Sequence, residues 1–521
     1  MKLNYKRVIF VGFAFFLIST FWQAYDTIIP KILTDKFGMN QANSGIVMAL
    51  DNILALFMLP LFGAISDKCM SKRGKRTPFI IIGTVIAAVA LVFLSVVDNS
   101  QLKNIEAVSA IDDPAAMTAL YQSQKDETLM TPDGAAFVLA DTFSEAEFSA
   151  ITSQIPRPDN ANALMANPDY ADYVVPARQN YAQQITQANP RTLILFLAVL
   201  LVILIAMSIF RSPAVALMPD VTIKPLRSKA NAIINLMGTA GGIVVLALGI
   251  VFATGAVKNS LMSYTLFFSI IAGIMLIALA VFLWQVKEPK FAAEMLEESQ
   301  RFHIDELPQD AAPGDARKLS RPEFLSLMLI LASVVFWFMG YNAVTSKYSV
   351  YAGKVMALDY NSTLMIANVA AIIAYLPVGF VASKVGRRKT ILAGIVMLAV
   401  AFLIAAFLRK GSPGLLMNAM FALAGIGWAT INVNSFPMVV ELSRGGDVGK
   451  YTGFYYTASM AAQTVTPWFS GLLMDKLGMT SLFPYATVFV ALAFLTMMFV
   501  KHGDSKPLPA KSKLEQLDAG D

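Results

Sequence analysis

Three ionisable side chains stand inside apolar runs that offer them little water: Asp26, Asp51 and Arg211. Asp51 lies about nine residues into its run, near the midplane of the span such a run would make. A carboxylate at that depth costs about 2.5–3.5 kcal/mol on insertion scales, and desolvation favours the neutral form of a carboxyl. A group of that kind can take up and release a proton inside a membrane, so Asp51, and Asp26 with it, are candidate proton-coupling residues. The plainer alternatives are a carboxyl tied to Asn52 or to an arginine and, for Asp26 in the outer third of its run, a solvated helix end. Arg211, in the inner half of its run, suits a solute hydroxyl or an aspartate partner. A gate contact, or snorkelling to the interface, is its alternative.

A second set is aromatic and amide: Trp22, Gln23, Tyr25, Asn52, Trp337, Tyr341, Asn342, Trp428, Asn432, Asn434 and Gln463. Amides offer donors and acceptors to hydroxyls, and flat rings cover the apolar face of a sugar. Tryptophans also anchor span ends, and amides also join helices. Trp22, Gln23, Tyr25, Asn52, Trp337, Tyr341, Asn342 and Asn432 are, with Arg211, the candidate binding residues. Asn432 and Asn434 point to different faces of one helix, so one of them lines the site.

Membrane helices must position these groups. The 521-residue chain is 56% hydrophobic and 15% charged, with mean hydropathy +0.59, far from a soluble domain. A span needs about 20 apolar residues. Twelve runs qualify, roughly 8–30, 43–66, 78–97, 192–217, 229–254, 263–286, 324–350, 358–383, 389–408, 413–438, 450–474 and 480–501. The expected fold is all-α and membrane-embedded, twelve transmembrane helices in two six-helix bundles. Residues 1–286 form the first bundle, 287–323 a cytoplasmic linker, 324–501 the second bundle and 502–521 a tail. The first run has no small-residue cleavage site after it and reads as a retained helix.

The net charge of +6 would suggest nucleic acid in a soluble protein, but here the basic residues sit in turns between spans. Those after spans two, four, eight and ten carry Lys68, Lys72, Arg73, Lys75 and Arg76; Lys224, Arg227 and Lys229; Lys384, Arg387, Arg388 and Lys389; and Arg444 and Lys450. The positive-inside rule places these turns and both termini in the cytoplasm, with the bundles in the plasma membrane. Residues 98–190, with thirteen acidic and four basic residues, are then an extracellular insertion between spans three and four. Asp141 and Glu145 suggest a helix start there, over the run Phe143–Ile155. Cys69 is the one cysteine, and His303 and His502 fall in cytoplasmic segments, so no disulfide or metal framework is expected. Without a phosphate loop or a nucleophile–base set, neither an enzyme nor a cofactor is expected.

The halves repeat one another. Met48, Asp51 and Pro60 recur at the same spacing as Met365, Asn368 and Pro377, each set followed by a short basic turn. Phe21-Trp22 with Tyr25-Asp26 and Lys31 matches Phe336-Trp337 with Tyr341-Asn342 and Lys347, one residue being inserted. Arg211 and Asp220 stand nine apart, as do Asn432 and Glu441. Repeated bundles around midplane polar groups belong to transporters whose halves rock about a shared site. The charged set lies in the first half, and its counterparts in the second are amides. Asp67 with Arg73 and Arg76, Asp220 with Arg227, and Glu441 with Arg444, together with Arg387 in the second basic turn, are candidate gating residues at cytoplasmic helix ends.

The turn Ser66–Ile80 resembles the basic turn of the major facilitator superfamily. Its ending, Lys75-Arg76-Thr77-Pro78-Phe79-Ile80, is similar to the proton-coupled sucrose and glycoside symporters, the glycoside–pentoside–hexuronide-like branch. Ser383–Lys389 resembles the superfamily alone. In Ser212–Asp220, Val215 stands where plant sucrose carriers have arginine, while Arg211 lies one turn earlier. The resemblance therefore implies the major facilitator fold and sugar transport in general more than sucrose. The expected protein is a monomeric secondary transporter importing a disaccharide-like glycoside with protons. An exporter or a carrier of another organic solute is the runner-up, and a nutrient sensor on the same scaffold, which would need a longer tail than Lys501–Asp521, the third.

Overall fold

The computed structural model describes residues 4–157, 160–222, 227–301, 320–440, 442 and 448–503. Twelve long helices carry it. The first six are α1 (Tyr5–Lys31), α2 (Gln41–Asp67), α3 (Thr77–Asn104), α4 (Arg191–Asp220), α5 (Arg227–Val251) and α6 (Thr265–Gln285). The second six are α7 (Arg321–Tyr351), α8 (Tyr360–Val385), α9 (Arg387–Ala405), α10 (Gly414–Val440), α11 (Val448–Leu477) and α12 (Leu482–Met498). Among the described residues, ten of them are long and apolar enough to cross a membrane. Local chemistry sets their starts. Asn40 accepts from the Asn43 amide to cap α2, Ser320 and Glu323 cap α7 reciprocally, and Asp359 caps α8. Pro78 and Pro322 occupy first turns, where a missing N–H costs nothing.

Each half has its own apolar core. Both α1 and α7 end in a five-residue π-helical turn, Ile32–Lys36 and Ala352–Met356, so the repeat extends to a backbone irregularity. In the first half α1 packs on α5, and Gly241 brings the two so close that a Cβ there would lie 2.5 Å from the Phe16 carbonyl oxygen. Between halves, α2 runs along α11, α5 meets α8, and α1 meets α7.

One end of the molecule carries the 98–190 segment and the other the linker. The linker includes a helix over Glu288–Arg301, and Arg7 of α1 reaches Glu294 on it at 3.0 Å. α3 runs on to Asn104, beyond the expected end at 97, because Asp98 and Gln101 are buried at its end. The insertion is a packed unit with a core that includes Met117, Leu120, Phe148, Tyr170 and Val174. Within the expected run Phe143–Ile155 only Glu145–Ser149 is helical, capped by Ser144 with Glu147 and not by Asp141. The chain then turns into a strand, Gln154–Arg157, paired antiparallel with Asn160–Ala166.

Hydrogen bonds between the halves gather at the insertion end. Asp475 of α11 accepts from the Gln41 and Ala42 amides at 2.8 and 2.7 Å, and Lys347 of α7 donates to the Gln41 carbonyl at 2.6 Å. Thr254 pairs with Tyr360 at 2.7 Å and accepts from Asn361 at 3.0 Å. This seam is tight. A Cβ on Gly45 would lie 2.1 Å from the Pro467 carbonyl oxygen across it. Gly45→Ala is therefore expected to part the halves at this end, since overpacking costs about 1–3 kcal/mol. Spin labels at Asn43 and Lys476 in a Cys69→Ser background should show a larger long-distance population. A distance distribution like the parent's would contradict that expectation.

Candidate functional site

Below the seam, α1, α2 and α4 bring the three isolated charges of the first half together. The Arg211 guanidinium lies 5.5 Å from the Trp22 ring centroid, a cation–π contact. Arg211 is within electrostatic reach of Asp51 and Asp26, and those two carboxyls of each other. Asn52 donates to Asp51 at 2.8 Å. Asp26 lies five residues before Lys31, which bonds the Thr254 carbonyl within the seam. It is thus placed beneath the seal and facing Arg211, not at a solvated helix end.

The second half supplies rings and amides. Tyr341 of α7 stacks flat on Trp428 of α10, with centroids 3.7 Å apart and planes 2° from parallel. Phe338 meets the same indole edge-on at 5.2 Å. Asn432 hydrogen-bonds Tyr375 of α8. Tyr341 is within electrostatic reach of Asp26, and Tyr456 of α11 of Arg211, so the two sets belong to one site. Trp22 Nε1 and Asn342 Nδ2 are buried with no hydrogen-bond partner, a costly state for a donor unless something else completes it.

The remaining candidate residues pack within their halves. Trp337 is 1% exposed and belongs to the second half's core. Tyr25 is buried, edge-on to Trp22 at 5.3 Å and within electrostatic reach of Asp51 and Asp26, its hydroxyl 3.4 Å from the Val47 carbonyl. Gln23 lies against Gly242 of α5. Asn434 is buried and bonds the Thr430 carbonyl in its own helix, leaving Asn432 as the outward-facing member of that pair.

At the linker end, Arg76 pairs with Asp220 at 2.8 Å, a bond that joins two of the expected gating residues across helices. The bond joins the start of α3 to the end of α4, and the same guanidinium donates to Ser66 and to the Gly63 carbonyl of α2, so Arg76 ties three helices together. Arg73 is exposed, and Arg387 opens α9. Glu441, Arg444 and the side chains of Asp67 and Arg227 lie outside the described residues, as does His303. A residue the sequence reading missed completes this end. Glu288 is 4% exposed and accepts from the Lys75, Arg76 and Thr77 amides, capping α3 from the far side of the half. Its signal was an acid directly after span six.

Also missed is a set of buried ions at the insertion end. Lys36 and Asp98 pair at 2.6 Å with both side chains fully buried, and Lys354 reaches Asp35 across the halves at 3.7 Å. In the sequence these charges stand near span ends, where a charge is ordinary, and their partners are distant along the chain.

The fold and site define an all-α membrane protein whose two six-helix halves enclose a polar site. The profile of the Major Facilitator Superfamily matches residues 184–374 and 359–519, and that of the MFS/sugar transport protein family matches residues 10–104. The chain belongs to the Major Facilitator Superfamily; it is a secondary transporter and not an enzyme. Its fold is similar to the inward-open xylose transporter XylE from E. coli, with TM-score 0.58 and 16% identity over 99% of each chain. A D-xylose–proton symporter matches with TM-score 0.55 and 15% identity over 96% of this chain and 98% of that one. The nucleoside transporter NupG matches with TM-score 0.54 and 13% identity over 95% of this chain and all of that one. No curated protein matches the chain significantly.

Proposed function

We propose that the protein imports a sugar or glycoside with protons by alternating access, as a monomer in the plasma membrane with both termini in the cytoplasm. The observation that carries this reading is the facing of a carboxyl–guanidinium set against an aromatic and amide set. Asp26, Asp51, Arg211 and Trp22 come from the first half; Tyr341, Trp428, Asn342 and Asn432 come from the second. The stacked Tyr341–Trp428 plate suits the apolar face of a pyranose, and the unpartnered Trp22 Nε1 and Asn342 Nδ2 suit its hydroxyl oxygens. Because donors come from both halves, solute binding draws them together and lowers the barrier to rocking. The glycoside–pentoside–hexuronide-like branch, suggested by Lys75–Ile80, fits this site.

The ion follows from the same geometry. Na⁺ needs several oxygen ligands around it, whereas a proton needs one carboxyl. Asp26 and Asp51 sit on separate helices with a guanidinium within electrostatic reach of both, which repels a metal cation. Proteoliposomes offered labelled pentoses, hexoses, disaccharides and nucleosides are expected to accumulate a sugar when a pH gradient is imposed. Replacing Na⁺ with K⁺ or choline at fixed pH should leave that uptake unchanged. Uptake that collapses without Na⁺ would overturn the proton assignment, and uptake of nucleosides alone would overturn the sugar.

A further inference from the structure

We propose that the insertion between α3 and α4 is a latch that holds the two halves closed at its end of the molecule. Two kinds of attachment differ in character. To the first half the insertion is bound by continuous chain and by buried contacts. Gln101 donates to the Lys36 carbonyl at 2.9 Å and to Thr186 at 3.1 Å. Gln179 donates to Asp35 at 2.7 Å, and Leu261, between α5 and α6, packs into the insertion's own core. Gly38, at φ +66°, admits the Gln179–Gln183 backbone so closely that a Cβ there would lie 2.3 Å from the Gln183 nitrogen. The insertion therefore moves with the first half.

To the second half it is bound by the packing of its Tyr170–Val174 turn on Ala352–Met356 and, among the described residues, by polar contacts at two points on separate loops. Asp172 forms an ion pair with Lys410, between α9 and α10, and the Lys410 ammonium is also 3.3 Å from the Pro168 carbonyl. The Met479 amide, between α11 and α12, donates to the Pro132 carbonyl at 2.7 Å. The Asp172 and Lys410 side chains are 27% and 19% exposed, so water can replace each as the pair parts. These are contacts that break without unfolding anything. When the halves separate at this end, α3 and α4 carry the insertion away from Lys410 and Met479. The latch thus adds its own closing free energy to that of the seam and sets how often the site opens on this side.

The test needs neither the solute nor the ion, so it stands apart from the sugar and proton reading. Purified full-length protein in a Cys69→Ser background would carry Ser349→Cys, a seam position 2% exposed, and its alkylation by a maleimide would be timed. Asp172→Asn and Lys410→Met are each expected to speed labelling about three- to fivefold, the scale of a partly exposed ion pair. The exchanged pair Asp172→Lys with Lys410→Asp should return the rate to the parent's. Rates equal in parent and single variants would overturn the latch, as would an exchanged pair that labels as fast as the single variants.

Discussion

Asp51→Asn is expected to abolish gradient-driven accumulation while leaving solute exchange intact. Asp51 accepts a hydrogen bond from Asn52 and interacts with Arg211, so the carboxyl is held without occupying a structural core. The internal repeat places Asn368 at the equivalent position, and an amide of nearly the same size should fill the site. With one coupled proton, each pH unit can sustain about a tenfold solute gradient, since a tenfold ratio is about 1.4 kcal/mol. The variant should equilibrate near a ratio of about 1 under the same gradient while counterflow of preloaded sugar continues. Concentrative uptake at the parent's level would remove Asp51 from coupling and leave Asp26 as the carrier of the proton.

Asp98→Ala should produce the largest loss of stability of any single change at the insertion end. It leaves the Lys36 ammonium buried with the Met262 carbonyl, at 2.8 Å, as its remaining hydrogen-bond partner. Removing one member of a fully buried pair costs about 3–5 kcal/mol, mostly the uncompensated charge, whereas replacing both by apolar groups is often close to neutral. The Tm of purified Asp98→Ala should therefore fall well below the parent's, and Lys36→Met with Asp98→Leu should recover most of the difference. A single variant that melts with the parent would mean that the pair is hydrated in solution and contributes little.

The sequence exposed some of this arrangement and hid the rest, for identifiable reasons. Asp26, Asp51 and Arg211 stood out because a charge within an apolar run is costly and has few structural uses. Apart from the end of α3, the twelve helices were legible within a few residues, since a span must satisfy its backbone internally and stay apolar for its length. Helix rotation was not legible. Trp337 and Tyr341 are four apart, yet one is core and the other lies on the Trp428 plate. A membrane helix is apolar towards lipid and towards protein alike, so no amphipathic stripe marks its inner face. The Lys36–Asp98 pair was hidden by sequence separation, and the Arg76–Asp220 cross-pair because each residue had a nearer partner in the chain. In the insertion, the Ser144 capping box was present in the sequence, but Asp141 offered a competing helix start.

Coupling of sugar to proton movement can be read without a label. Right-side-out vesicles in weakly buffered medium, with no imposed gradient and a counter-ion ionophore present, are given a pulse of transported sugar. The expected result is a transient alkalinisation outside, in step with sugar entry, that disappears with a protonophore and is absent from Asp51→Asn. Sugar entry with no change in external pH would contradict proton-coupled import through this site.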